Sequence, residues 1–292
     1  MPLFFREVRL RVASLQETAA FYSGKLDLCV RPPTQFQESA QVVSFESMET
    51  AVLSFLEGAV SSSKPADGQR CSFVWIGLAG FPDVRQTVES LKDRGVGIKL
   101  QGQFEDIAFV AHGVDNNGIT FECLQTTMEH NFKPTAVPDN ALRANAVLGQ
   151  VKLNVFNPKA SLEFYTDVLW MRLLSQQRCD KYKFTLYFLA FSHASDDVPN
   201  PDPNALENRE WLWQKQFTQL ELQHWDNTSA PMWLPAEGAV GLDSCVFEGS
   251  ADEVDAVRER LVAAGKEIVT DTSGGFGVRD PDGQLLRFTC SS

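Results

Sequence analysis

No stretch of 18 apolar residues occurs in this chain, so nothing in the sequence reads as a membrane-crossing helix. No basic run occurs either, and 26 Lys+Arg face 38 Asp+Glu for a net charge of -12. A polyanion would be repelled, which argues against nucleic acid as a partner. The start, Met1-Pro2-Leu3-Phe4-Phe5-Arg6, lacks the basic, apolar and small-residue order of a secretory signal. The six cysteines never form C-x-x-C and read as reduced thiols. Together these absences place the chain in a reducing intracellular compartment, the cytoplasm first; an organelle stays open if an import peptide has been removed upstream. What is present is ordinary for a globular protein: 43% hydrophobic and 22% charged residues over 292 positions, about two domains' worth.

An internal repeat organises the chain. Residues 7–30 (EVRLRVASLQETAAFYSGKLDLCV) and 150–173 (QVKLNVFNPKASLEFYTDVLWMRL) align without a gap at an offset of 143. Val8/Val151, Leu10/Leu153, Val12/Val155, Phe21/Phe164, Tyr22/Tyr165 and Leu26/Leu169 coincide. Each copy opens with alternating residues, a strand with one face on a core. Each then starts a helix, through a Ser14/Glu17 capping box or through Asn157 ahead of Pro158. A second pair, 81–98 and 251–268, reads as amphipathic helices stopped by Gly95 and Gly265. Each is followed by an Asp-x-x-Gly turn and a strand, at 115–123 and 280–288. The chain thus divides into four units near 1–60, 70–125, 148–225 and 238–290. A proline-containing connector around 128–146 links the halves, and the polar stretch 193–210 reads as an exposed insertion. Short strands grouped with one helix each imply an α+β protein with curved sheets covered on one face.

The order of strand, Phe-Tyr…Leu helix and closing Asp-Pro-Asp-Gly turn resembles the vicinal oxygen chelate superfamily. Residues 148–290 go further. QVKLNVFNPKASLEFYTDVLWM, KFTLYFLAF (183–191), WLWQKQFTQLELQHWDN (211–227) and RDPDGQLLRF (279–288) resemble glyoxalase I, the lactoylglutathione lyase. The resemblance implies four βαβββ modules forming two glyoxalase-like domains, at 1–128 and 148–292, with a linker over 129–147. It also implies clefts built from swapped halves, pairing units two with three and one with four.

Glyoxalase I holds a divalent metal with four ligands, and that metal binds both oxygens of a hemithioacetal while a glutamate moves the proton. Carried over by position, Gln150 and Glu221 match the first two ligands and Glu122 matches the closing glutamate. The two-plus-three cleft then has Gln150, Glu221 and Glu122 as metal ligands, with Glu122 and Glu221 as catalytic carboxylates. The strand that should carry a His has none, and Phe73 is its counterpart. Asn154 stands where the family has an anion-binding Arg, so Asn154 and Phe73 are the substrate-contacting positions. The one-plus-four cleft has Glu7, Ser54, one of Leu242, Asp243 or Ser244, and Arg287, with Arg11 at the anion position. There the resemblance implies a degenerate, metal-free cleft with a Glu7–Arg287 ion pair. His112, His130, His193 and His224 all lie off the ligand positions, and His224 faces away from Glu221 by strand alternation. Cys71, Cys245 and Asp243 are substitute-ligand candidates. Trp211, Trp213, Trp225 and Trp233 cluster around the insertion, where they line a pocket, form a partner surface or pack the core.

Two functions follow from the resemblance. One is a degenerate, non-catalytic glyoxalase I-like protein that binds a small molecule or serves a protein partner as a structural subunit. The other is a metal-dependent lactoylglutathione lyase with one working cleft. Three oxygen ligands suit Mg, Mn or Ca, with Zn less well served, and the absence of any metal is equally open.

Overall fold

A computed structural model describes residues 3–31, 41–45, 51–61, 63–134, 146–191, 197–270 and 275–291. The middle of the connector (135–145) and His193 therefore lie outside the described residues. Alternation drives the strands. In β1 (Phe4–Val12) Val8, Leu10 and Val12 enter the core while Glu7, Arg9 and Arg11 take the other face. In β9 (Val147–Asn154) Val151 and Leu153 do the same, opposite Gln150, Lys152 and Asn154.

The chain runs through four βαβββ units. The first comprises β1, α1 (Leu15–Ala20, continued by a π-helical turn at Phe21–Lys25), β2 (Cys29–Arg31), β3 (Gln41–Ser44) and β4 (Val52–Glu57). The second is β5 (Phe73–Phe81), α2 (Val84–Asp93), β6 (Ile98–Phe104), β7 (Ala108–Val114) and β8 (Thr120–Gln125). The third is β9, α3 (Pro158–Leu162, continued by a π-helical turn at Glu163–Val168), β10 (Met171–Cys179), β11 (Phe184–Phe191), α4 (Glu207–Trp213) and β12 (Gln219–Trp225). The fourth is β13 (Gly241–Gly249), α5 (Ala251–Ala263), β14 (Ile268–Thr270), β15 (Phe276–Arg279) and β16 (Leu285–Cys290).

These strands form two eight-stranded sheets, β14-β15-β16-β13-β1-β4-β3-β2 and β10-β11-β12-β9-β5-β8-β7-β6. Units one and four share the first sheet, units two and three the second. Each seam is an antiparallel pair, β1 with β13 and β5 with β9, flanked by parallel partners. One large core is shared by both sheets and by α1, α2, α3 and α5, through residues such as Phe21, Val88, Phe164 and Leu261.

The repeat reaches into fine geometry. Both copies carry the π-helical turn, and both leave it through a left-handed residue, Asp27 (φ 53°) and Trp170 (φ 61°). The Phe-Tyr motif and the Asp-x-x-Gly turn lock together. Tyr22 Oη donates to Asp115 Oδ2 at 3.4 Å and Tyr165 Oη to Asp280 Oδ2 at 2.8 Å. Each aspartate also accepts two backbone N–H groups of its own turn, which Gly118 (φ 81°) and Gly283 (φ 91°) close. Ser14, Asn157 and Ser250 cap their helices, Ser250 with the full capping box to Glu253.

The 193–210 insertion departs from the expected exposed loop. Its described end folds into α4, which buries Asn208, Arg209, Trp211 and Trp213 on the second sheet. Asn208 Nδ2 donates to the carbonyls of Leu174, Asn200 and Asp202, so a polar side chain organises the loop from inside. No helix among the described residues is long and apolar enough to cross a membrane, and all six cysteines are free thiols.

Candidate functional site

The seam of the second sheet builds the site. Gln150 pairs with Gly77, Val151 with Ile76 and Lys152 with Trp75. An antiparallel pair is two-fold symmetric, so the position on β5 that mirrors Gln150 on β9 is Trp75. On the flanking strands Glu221 sits beside Lys152 and Glu122 beside Gly77. Gln150, Glu221, Glu122 and Trp75 therefore stand around one point on one face. Gly77 makes room for this, because a Cβ there would lie 2.2 Å from Gln150 Cγ.

Gln150 Nε2 donates to Glu122 Oε2 at 2.9 Å and to Glu221 Oε2 at 2.7 Å. The second oxygen of each carboxylate is also taken. Lys152 Nζ lies 2.8 Å from Glu221 Oε1, and His112 Nε2 shares a 2.8 Å hydrogen bond with Glu122 Oε1. Gln150, Lys152, Glu221 and Glu122 are 1%, 4%, 2% and 6% exposed, so these charges are almost wholly out of water. The ammonium also sits 4.0 Å from the centre of the Trp75 ring, which in turn packs on His112 with centroids 4.8 Å apart. Burial pushes the Glu221 carboxyl above its ordinary range and Glu122 adds to this, while Lys152 opposes it. Gln150 Oε1 is buried without a hydrogen-bond partner among the described residues.

These groups floor a cleft of about 500 Å³. Phe104, Phe184, Phe188 and Trp213 give it apolar walls, with Leu124 and Val110 beside the floor. Trp213 is fixed by donating its indole N–H to the Ile107 carbonyl at 2.9 Å. Near the rim Arg70 stacks on Trp225, 4.0 Å from the ring centre. Asn154 lines the cleft with both ends engaged: Nδ2 donates to the Cys71 carbonyl at 2.8 Å, and Oδ1 accepts from Trp225 Nε1 at 3.1 Å.

The donor set is a poor fit for a divalent cation. All four carboxylate oxygens already accept hydrogen bonds, and one does so from a buried ammonium whose charge repels a second cation. The fourth corner is an indole, a donor with no lone pair for a metal. Among the described residues no three His, Cys, Asp or Glu side chains gather closely enough to hold an ion.

The first sheet repeats the arrangement with other residues. Its seam pairs Glu7 with Val246, Val8 with Cys245 and Arg9 with Ser244. Ser54 lies beside Arg9, and Arg287 beside Val246. Glu7, Ser54, Ser244 and Arg287 thus correspond to Gln150, Glu221, Trp75 and Glu122. Of the three residues left open on β13, register selects Ser244; Asp243 instead pairs with Arg11, Oδ1 to Nε at 2.8 Å. Arg11 is thereby tied up rather than presented to an anion. The Glu7–Arg287 pairing needs correction: the ion pair described for Glu7 is with Arg9, Oε2 to Nε at 3.0 Å. Arg9 is two residues away on the same strand, whereas Val246 separates Glu7 from Arg287.

In the second sheet Gln150, Glu221, Glu122 and Asn154 come together, and Phe73 does not join them. Phe73 packs against the main core, and an irregularity between Phe73 and Trp75 turns Trp75 into the cleft. Cys245 belongs to the core; Cys71 lines the cleft with its thiol pKa raised by burial. His224 faces away, next to the Val155 carbonyl at 3.2 Å. Lys152 and His112 are the site residues that ligand matching passed over. Strand alternation puts Lys152 on the face of Gln150, and β7–β8 pairing sets His112 opposite Glu122.

Comparison with known proteins supports the same picture. The profile of the glyoxalase/bleomycin resistance protein/dioxygenase superfamily matches residues 147–288. A lactoylglutathione lyase of Pseudomonas aeruginosa is 36% identical over 162 residues, covering 53% of this chain and 88% of that protein. Glyoxalase I of Saccharomyces cerevisiae is 36% identical over 123 residues, 41% of this chain. The chain spans only 33% of the yeast protein's length. A crystal structure of glyoxalase I from Zea mays superposes with a TM-score of 0.64 at 17% identity, covering 98% of this chain and 92% of that one. At that identity the likeness concerns the fold.

Proposed function

Because the chain belongs to the glyoxalase/bleomycin resistance protein/dioxygenase superfamily, we propose that its second-sheet cleft is a small-molecule site of glyoxalase I descent that works without a metal. In this reading the cleft holds an apolar ligand between its aromatic walls and the Gln150–Glu221–Glu122–Lys152 floor. It does not carry out the isomerisation of the methylglyoxal–glutathione hemithioacetal. The observation that carries the reading is the Lys152 ammonium 2.8 Å from Glu221, inside the carboxylate cluster that a metal would otherwise organise. A neutral Asn154, with both ends engaged, also leaves no guanidinium at the family's anion position. Lyase chemistry is the competing reading, favoured by the 36% identity to the Pseudomonas aeruginosa enzyme.

Binding of anilinonaphthalene sulfonate, an aromatic probe whose fluorescence rises in apolar surroundings, tests the proposal. Titration should saturate at a single class of site. Val74→Trp, which fills the cleft from β5, should abolish that signal while circular dichroism stays unchanged. Binding unaffected by the substitution would place the ligand elsewhere and end the proposal.

A further inference from the structure

The disagreement between this cleft and a metal has a specific source. We propose that Lys152 is a built-in cation holding the electrostatic place of a divalent ion, and that removing it uncovers a latent metal site. This rests on the metal-free reading above, and the test below separates the two.

Three observations carry it. First, one oxygen of Glu122 and one of Glu221 already converge on a single atom, Gln150 Nε2, at 2.9 and 2.7 Å. Carboxylate oxygens bind divalent ions at about 2.0–2.6 Å, so an ion between them requires both oxygens to draw in and the Gln150 amide to move off that point. Second, the amide of Gln150 presents its N–H₂ to both carboxylates, as it must when no ion separates them. Its Oε1 is buried and unpartnered among the described residues. A half-turn about the last side-chain bond, a soft two-fold torsion, exchanges the two ends and supplies a third oxygen. Third, the first sheet places a cation at the equivalent position. Arg9 stands two residues after Glu7 just as Lys152 stands two after Gln150, and Arg9 Nε binds Glu7 at 3.0 Å. A cation two residues after the opening polar residue therefore stands in both seams. In the first sheet the other equivalent positions hold Ser54, Ser244 and Arg287.

With Lys152 present, Glu221 has a cation of the chain beside it at 2.8 Å, while Glu122 is held by His112 at 2.8 Å. Without it, two buried carboxylates face each other across an amide with His112 on the far oxygen of Glu122, and a divalent ion between them offsets the charge that Lys152 balanced. Trp75 supplies no lone pair, so a His at that corner adds the nitrogen that suits Zn or Mn.

The test uses the full chain and three variants: K152M/W75H, K152M, and K152M/E122Q, which removes one carboxylate together with the ammonium. Each is equilibrated with Zn²⁺ or Mn²⁺ and desalted, then assayed for metal per chain and for thermal midpoint. The unmodified chain should retain no ion and show no metal-dependent shift. K152M/W75H should retain about one ion per chain and gain several degrees in midpoint when saturated, as binding to the native state requires. K152M/E122Q should fold without metal and retain none. If K152M is unfolded alone, recovery of its native circular dichroism on adding Zn²⁺ is the same positive result. Failure to recover, while K152M/E122Q folds, overturns the inference. A folded K152M/W75H that binds no ion also overturns it, and leaves the metal-free reading standing. Stoichiometric metal on the unmodified chain overturns both.

Discussion

Gly77→Ala is the most informative single change, because its sign depends on the site geometry. Gly77 does not adopt a left-handed conformation, so strand backbone alone would accept alanine. Replacing an unstrained glycine by alanine normally stabilises by about 0.4–1 kcal/mol through the unfolded chain. Here the added Cβ would lie 2.2 Å from Gln150 Cγ and 2.8 Å from Cδ. Cγ is close to the backbone of β9, so relief requires a different side-chain rotamer, which takes Nε2 away from both carboxylates. Hydrogen bonds to charged acceptors contribute about 1.5–3 kcal/mol each. Losing two, less the alanine gain and some rehydration, gives a net cost of about 2–4 kcal/mol, or about 3–7 °C in Tm for a chain of this size. Chemical denaturation of Gly77→Ala, Gln150→Ala and the double variant measures the coupling. In the Gln150→Ala background the alanine at 77 should cost nothing or stabilise. A Gly77→Ala protein more stable than the parent, or one destabilised equally in both backgrounds, would refute the reasoning.

Three further outcomes are expected. Tyr165→Phe should cost about 1–2 kcal/mol in urea melts and Tyr22→Phe less, because the Tyr165–Asp280 bond is 2.8 Å and its repeat partner 3.4 Å; equal losses would contradict this. Burial pushes the Asp280 carboxyl up to about 6, so between roughly pH 4 and 6 the native state holds a proton that the unfolded chain has released. Stability should therefore fall as pH rises through that window, by up to about 3 kcal/mol, and Asp280→Asn should flatten this component of the melt-against-pH curve. Trp213→Phe leaves the Ile107 carbonyl without its 2.9 Å donor and should cost about 1–3 kcal/mol while weakening anilinonaphthalene sulfonate binding; unchanged binding would remove Trp213 from the wall.

Much of the architecture was legible in the chain itself. The 143-residue offset sets Glu7 and Gln150 at the same place on the two seams, and the Asp-x-x-Gly turns meet the Phe-Tyr helices. The floor of the cleft was only partly legible, for physical reasons that differ by residue. Period-two alternation puts Lys152 beside Gln150, but its partner Glu221 lies on β12 and appears only once β12 pairs with β9. His112 meets Glu122 across the hairpin closed by the Asp115–Gly118 turn, a pairing that appears only once the strand before that turn is recognised as β7. Trp75 replaces Phe73 in the cleft because an irregularity in β5 shifts the face by one residue, which alternation cannot foresee. Residues 207–210 fall in the stretch that reads as an exposed insertion, because Asn208 and Arg209 are polar, yet the helix buries both together with Trp211 and Trp213.

The proposal that this cleft does not isomerise the methylglyoxal–glutathione hemithioacetal is tested most directly by one measurement. The purified full chain is assayed for S-lactoylglutathione formation from methylglyoxal and glutathione, with Zn²⁺, Ni²⁺, Mn²⁺ or Mg²⁺ added in turn. The expected rate equals that of buffer containing the same ion. Ion-dependent turnover that Glu221→Gln abolishes would contradict the claim.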